Sequence, residues 1–587
     1  MNNIQHQKYD LLIRKKELLT RQLTDLKTDY KSIKKEIDIT IDSIQRVSLE
    51  RRLQYVANSI EELEHQLKDF DRIFQELSRR IKNPRQTFQK ENHLVSKLEV
   101  LRDLNLGRIV AEQDDLLESC FIPTVALREI ISEKADLVLG TKGSGKSAIW
   151  VELSKNRATY WPEKEHIIVP ATNPTGDPEF RDVLAAIDQD NYPSEDDLRL
   201  AWRLYLLGQV WKAVKSCNVE KTQDYSKIKK ELSKYGLIYE NSSIKNMFAF
   251  AVTKALALKK LEVKWKDGIQ FEFDQSISKS NFSYISIPFN DLLSQMSSLL
   301  RESGKSVWIV LDRLDEIVIN NIFLENLTLK GLLLAYRDLS DLGNIKIKIF
   351  LRDDIYNRVT TIGQFPALTH IRSRATRPIK WSIEDLLNLV VTRLVQNKKI
   401  RSFINLDGQS IVSQRRREIF YTIFPPLIDR GNAAEGFKWI VDRITDGKDV
   451  ATPRDLLSVI EKARVIQLEK MERDSVAPSE SFLFDEDSIR LAVKEVAKDN
   501  LETRIFAEYP DLRTPVLLLK GNKADHNSDT FKEILGDDYS KELITRLESV
   551  GLIYRRERKG HQVWTIPFFY SFALDIKRGA AFDIDAP

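Results

Sequence analysis

The first eighty residues alternate apolar and charged positions at steps of three and four, and neither proline nor glycine interrupts them from Asp10 to Lys82. Leu19, Leu23, Leu26, Tyr30, Ile33 and Ile37 form one series. Leu53, Val56, Ile60, Leu63, Leu67, Phe70, Ile73 or Phe74, Leu77 and Ile81 form another. A 3.5-residue repeat with charges between its apolar positions predicts an α-helical coiled coil. The phase between Ile37 and Leu53 does not fit whole heptads, so the segment is either one rod with a stutter or a folded-back helical hairpin. Asn83 and Pro84 close it, because proline disfavours helical geometry in the residue before it.

From about Leu104 the pattern changes to short apolar runs rich in β-branched residues. Residues 136–139, 166–169, 306–311 and 345–351 predict strands, the middle two almost continuously apolar, as buried parallel strands are. Helical sequence lies between them, which places the chain in the α/β class with a parallel sheet. The long stretch from Asp177 to Arg301 reads as a mostly helical insertion, with an amphipathic helix at Leu198 to Lys215 and a small hairpin at Leu261 to Phe273. After Trp381 the chain turns helical through about Glu472. Its end runs helix, Gly551, then two strands joined through a basic turn, which is the order of a winged helix. The plan is therefore a coiled coil at 1–84, an α/β core at 85–380 with its insertion at about 177–301, a helical lid at 381–475 and a winged-helix-like domain at 476–587.

A chain of 587 residues exceeds the size at which one core stops growing, which fits several domains. A net charge of only +4 carries no global signal for nucleic acid, so any basic surface must be local. Cys120 and Cys217 lack CxxC spacing and the seven histidines are scattered, so no metal-ligand pattern is present and both cysteines read as small buried hydrophobes. With no signal-peptide pattern and no apolar run near the ~18 residues needed for a bilayer span, a cytoplasmic protein without a membrane partner is expected.

The decisive segment is 137–150, LVLGTKGSGKSAIW, which fits GxxxxGK[ST] between a strand and a helix. Gly140, Thr141, Lys142, Gly143, Ser144, Gly145, Lys146, Ser147 and Ala148 are the expected cradle for ATP. Glycines let backbone amides turn inward around phosphates, and the following helix start adds its partial positive charge. Lys146 supplies a point charge, and the Ser147 hydroxyl is placed to ligate Mg2+. Downstream, SVWIVLDRLDE ends a strand in Asp312, the expected second magnesium contact. Position 313, where a water-activating carboxylate is common, is Arg313, so either Asp315 or Glu316 takes that role or hydrolysis is slow. Arg352, ending the strand beside this one, is a candidate sensor of the γ-phosphate or the attacking water. His370, Arg372, Arg374 and Arg377 form a cationic stretch that could present a finger to a neighbouring subunit.

Together these segments resemble P-loop ATPases of the broad AAA and STAND-like group. They are similar to a bacterial family that pairs a GxKGxGKSA loop with a DRLDE segment, matched here by Gly140 to Ala148 and by Asp312 to Glu316; Leu351 to Asp354 also looks like it. The resemblance covers roughly 105 to 580 and leaves the coiled coil outside. It implies that Arg454, in ATPRDLL at 451–457, is similar to a second sensor reaching the γ-phosphate. It further implies a regulatory ATPase switch or oligomeric subunit, a homo-oligomer with a separate effector protein, and a role in anti-phage defence. The alternative is a nucleic-acid sensor in which Arg555, Arg556, Arg558 and Lys559 of the wing touch phosphates.

Overall fold

The computed structural model describes residues 2–39, parts of 49–64, 97–156, 165–170, 193–217, 222–234, 288–314, 321–340, 342–361, 368–406, 415–429, 434–474, 482–558 and 560–582, with a few isolated positions between them. The expected hairpin at 261–273, the apolar series beyond 64, Asp315, Glu316 and Lys559 lie outside these residues. The chain divides into two compact units, 1–94 and 95–587.

In the first unit a helix runs from Asn2 to Ile39, 38 residues without a break. Ile33, Ile37 and Val56 are buried together, with Leu26, Tyr30, Leu49, Leu53 and Ile60 packed around them. Lys27 Nζ lies 2.6 Å from Glu64 Oε1. Lys27 thus meets Glu64, while Ile37 and Leu53 share one cluster, so the two helical segments run antiparallel. That pairing is the one a folded-back helical hairpin makes.

The second unit is built on a four-stranded parallel sheet: β1 (Leu137–Leu139), β2 (Glu165–Pro170), β3 (Lys305–Leu311) and β4 (Ile345–Leu351), in the order β1-β4-β3-β2. The segment after 374 runs beside the outer edge of β1. Ala375 bridges Leu137 in parallel, and Ile379 N donates to Leu139 O at 2.9 Å. Alternation along the strands sorts side chains to two faces. Leu137, Leu139, Val307, Ile309 and Leu311 join the core under helices Glu195–Lys215, Phe289–Glu302 and Ile322–Leu339. Val138, Trp308, Val310 and Phe350 pack with Ile149 and Leu153 of the helix Lys146–Lys155 on the other face.

The helix Glu195–Lys215 starts at a capping box in which Ser194 and Asp197 each satisfy the other's backbone amide. It was expected as an amphipathic element of an insertion; it is instead buried on nearly all sides, within the main core of the sheet. Ile322–Leu339 approaches it closely at Gly331, where an added Cβ would lie 3.0 Å from the Arg199 backbone nitrogen. Only glycine permits that approach.

A second core runs from Val100 through Leu574, crossing the boundary expected near 475, because the helix Pro453–Asp474 packs along Glu486–Asn500. Glu486–Asn500 continues into a π-helical turn, Leu501–Phe506. Beyond it a small sheet has the order β6-β7-β5-β8, with β5 (Lys523–His526), β6 (Tyr554–Arg558), β7 (His561–Thr565) and β8 (Lys577–Ala580). Helices Ser528–Leu535 and Lys541–Ser549 lie between β5 and β6. Gly551, at φ 79°, ends the second of them in the left-handed region.

Candidate functional site

The parallel register brings three strand ends to one edge. Leu139 lies opposite Leu351, and Leu311 opposite Ile349, so Gly140, Arg352 and Asp312 leave the sheet side by side with β4 in the middle. Crevices outside the carboxyl ends of such strands are where α/β sheets bind ligands.

The loop between β1 and its helix uses Gly143 at φ 85° and Gly145 at φ 98°, conformations that side chains with a Cβ rarely adopt. The helix begins at Lys146, so its unpaired first-turn amides face the loop. Lys146 Nζ donates to the carbonyl oxygens of Gly140, at 2.8 Å, and Thr141, at 2.9 Å. The buried hydroxyls of Thr141 and Ser144 have no hydrogen-bond partner among the described residues. Ser147 and Ala148 sit half-buried in the first helical turn. Trp381, which no spacing in the sequence marks, donates its indole N–H to Ser144 O at 2.9 Å.

Asp312 is buried at the end of β3. Arg313 adopts φ 57°, and its guanidinium lies 2.8 Å from Glu112 Oε1, a residue of the turn Ala111–Gln113 that sequence reasoning missed. Arg454 stands against the loop: a Cβ on Gly143 would come within 3.0 Å of Arg454 Cβ. Its Nε is buried and unbonded among the described residues.

Arg352 occupies the expected strand tip, but carboxylates of the fold engage its guanidinium. Nε donates to Asp354 Oδ1 at 3.0 Å and Nη2 to Asp354 Oδ2 at 2.8 Å. Nη1 lies 2.5 Å from Glu508 Oε2, and Tyr509 OH donates to Asp354 Oδ2 at 2.5 Å. Burial opposes the charge on both members of the Arg352–Asp354 pair. Their mutual attraction outweighs it, holding the carboxyl well below and the guanidinium well above its ordinary range. Lys142 Nζ reaches the other oxygen of Glu508 at 2.6 Å. A small cleft opens among Thr141, Lys142, Arg352, Lys448, Arg504 and Tyr509.

Other expected cations are also committed inside the fold. Arg374 donates to buried Asp136 at 2.8 Å, which removes it as a finger for another subunit, whereas His370, Arg372 and Arg377 are exposed. In the β6–β7 hairpin, Arg555 pairs with Glu548 at 2.5 Å. Arg556 and Arg558 both pair with Asp525, itself 1% exposed. Each of these three hairpin arginines thus sits on a carboxylate of the same chain unit.

Residues 12–70 match the family described as effector-associated domain 9. A putative transposon gamma-delta 80.3 kDa protein of Escherichia coli (strain K12) is 24% identical over 261 residues, 43% of this chain and 34% of that protein. The chain thus spans about a third of that relative's length. Among solved structures, the Aeropyrum pernix ORC2 protein in ADPNP–ADP complexes has a TM-score of 0.33 at 10% identity, covering 76% of this chain and 90% of that one. The Aeropyrum pernix ORC1 protein in complex with DNA has a TM-score of 0.30 at 11% identity, covering 80% and 96%. Cdc6p from Pyrobaculum aerophilum has a TM-score of 0.24 at 10% identity, covering 84% and 96%.

The donors at the sheet edge suit magnesium, a hard cation that takes oxygen ligands and keeps part of its water shell. Ser147 offers a hydroxyl and Asp312 a carboxylate. Cys120 and Cys217 are both buried thiols. Among the described residues no helix is long and apolar enough to cross a membrane.

Proposed function

We propose that the chain is an ATP-binding switch with ATPase chemistry, seated at Gly140 to Ser147. The observation that carries this reading is the joining of three features at one sheet edge: the glycine loop with its helix start, buried Asp312, and Arg352 between them. Backbone amides of the loop and the Lys146 ammonium hold the β- and γ-phosphates; Ser147 and Asp312 hold magnesium, which neutralises developing charge on the phosphates when bound. Arg454, against Gly143 from the first turn of its helix, is read as the lid's contribution. Arg313, a permanently charged side chain paired with Glu112, provides no base after Asp312, so either water activation falls to Asp315 or Glu316 or hydrolysis is slow. Helices from 383 to 474 serve as the lid, and the 513–565 segment, helix–strand–helix–helix–hairpin, as a winged helix. The match of residues 12–70 to an effector-associated domain supports a division of labour in which the N-terminal hairpin recruits a separate effector protein, as in a defence-type system. Phosphate release from ATP by the full chain tests the reading. Lys146→Ala should lower turnover by about 100-fold with the fold kept, as removal of a key charge-stabilising donor does. Turnover unchanged in that variant would exclude the loop as the site.

A further inference from the structure

The geometry points to Glu508 as a resident anion that holds the cations facing the terminal phosphate, so that docking of its own segment and binding of a triphosphate compete. This rests on the nucleotide-binding reading above and names how that site is regulated.

Glu508 comes from a part of the chain with no role in the loop's architecture, 366 residues beyond Lys142. The π-helical turn Leu501–Phe506 delivers it, and such turns recur where a helix must re-aim side chains for function. The carboxylate lies between two cations of the site, Lys142 of the loop at 2.6 Å and Arg352 of the β4 tip at 2.5 Å. Its side chain is 16% exposed, so water screens these contacts little. Tyr509, the next residue, reinforces the grip through Asp354. Lys146 takes no part, being held by the loop's own carbonyls.

A carboxylate and a phosphoryl group present the same kind of oxygen to lysine and arginine. A triphosphate seated on the loop directs its last phosphate toward the strand edge where Arg352 emerges, so it meets a negative charge already in place. The phosphate must displace Glu508 or share its cations, and sharing places two anions side by side. A diphosphate ends one group short and leaves Glu508 undisturbed. Discrimination between the two nucleotides is therefore linked to the position of the π-turn segment, and linkage is reciprocal: whatever pulls that segment away favours the triphosphate.

Calorimetry on the full chain with magnesium, using ADP and the non-hydrolysable analogue AMP-PNP, tests this. Glu508→Gln keeps the shape and removes the charge. It should tighten AMP-PNP by about tenfold and leave ADP within about twofold, the size expected for relief of one close like-charge contact. Tyr509→Phe removes the tie to Asp354 without touching Lys142 and should shift the same ratio in the same direction by about threefold. It carries the test should Glu508→Gln not fold. An AMP-PNP to ADP affinity ratio equal to that of the unmodified chain, in folded variants whose parent binds both nucleotides, overturns the proposal and makes Glu508 a structural clamp. If the unmodified chain binds neither nucleotide, the nucleotide-binding reading itself fails, and this inference with it.

Discussion

The two ends of the parallel sheet each carry a cluster of ions, and they differ in what they leave open. At the amino end, Lys348 is fully buried and donates to Asp136 Oδ1 at 2.6 Å and to Ala135 O at 2.9 Å. Tyr336 and Arg374 complete the shell of Asp136. At the carboxyl end, Lys142, Arg352 and Asp354 border a cleft beside the glycine loop, and Glu508 pairs with the two cations. The first cluster closes on itself and fixes β1 against β4. The second draws one of its carboxylates, Glu508, from a distant segment, so that contact can be exchanged for one to a ligand. Ionic content alone therefore does not mark a site; the strand end at which it sits and the opening beside it do.

The comparison can be broken most severely at the amino end. Lys348→Met strands a buried carboxylate and should cost about 3–5 kcal/mol in thermal or denaturant unfolding, while the folded fraction keeps its nucleotide affinity. A loss of nucleotide affinity there would show that the two ends are not separate. Next in size, Arg352→Lys keeps the charge but not the planar fork that Asp354 grips, and should lower ATP turnover by about tenfold with a smaller change in stability.

Acid sharpens the contrast. Burial alone would raise the carboxyls of Asp136 and Asp354, but their cationic partners hold both below the usual range. A depressed carboxyl contributes stability that is complete above the unfolded value near 4 and is lost as pH falls below it. The unmodified chain should therefore begin to unfold below about pH 4. In Lys348→Met, Asp136 loses its main charge partner, so unfolding followed by circular dichroism should begin at higher pH. The smallest effect belongs to the β6–β7 hairpin: Arg555→Gln breaks an exposed pair and should change stability by less than about 1 kcal/mol.

Much of this architecture was legible because periodicity reports burial. The strands at 306–311 and 345–351 were marked by apolar runs, and the glycine loop by a spacing that few other structures need. For the N-terminal helices the sequence leaves rod and hairpin open, since heptad phase shows a break but not which way the chain turns. Glu195–Lys215 was misjudged because a helix enclosed by a sheet and two other helices carries apolar residues almost all round, erasing the one-sided stripe. Glu112, Trp381, Glu508 and Tyr509 were not legible at all. Each is a single side chain brought to the loop or its edge from afar, and one charge or ring in a polar segment looks like any solvated residue.

The central claim, that Gly140 to Ser147 grips a triphosphate, is met most directly by titrating the full chain with AMP-PNP and magnesium in a calorimeter, alongside Lys146→Ala. The account predicts saturable heat from one site per chain, with affinity weakened at least about tenfold in the variant. No heat from folded protein, or the same affinity in both chains, would contradict it.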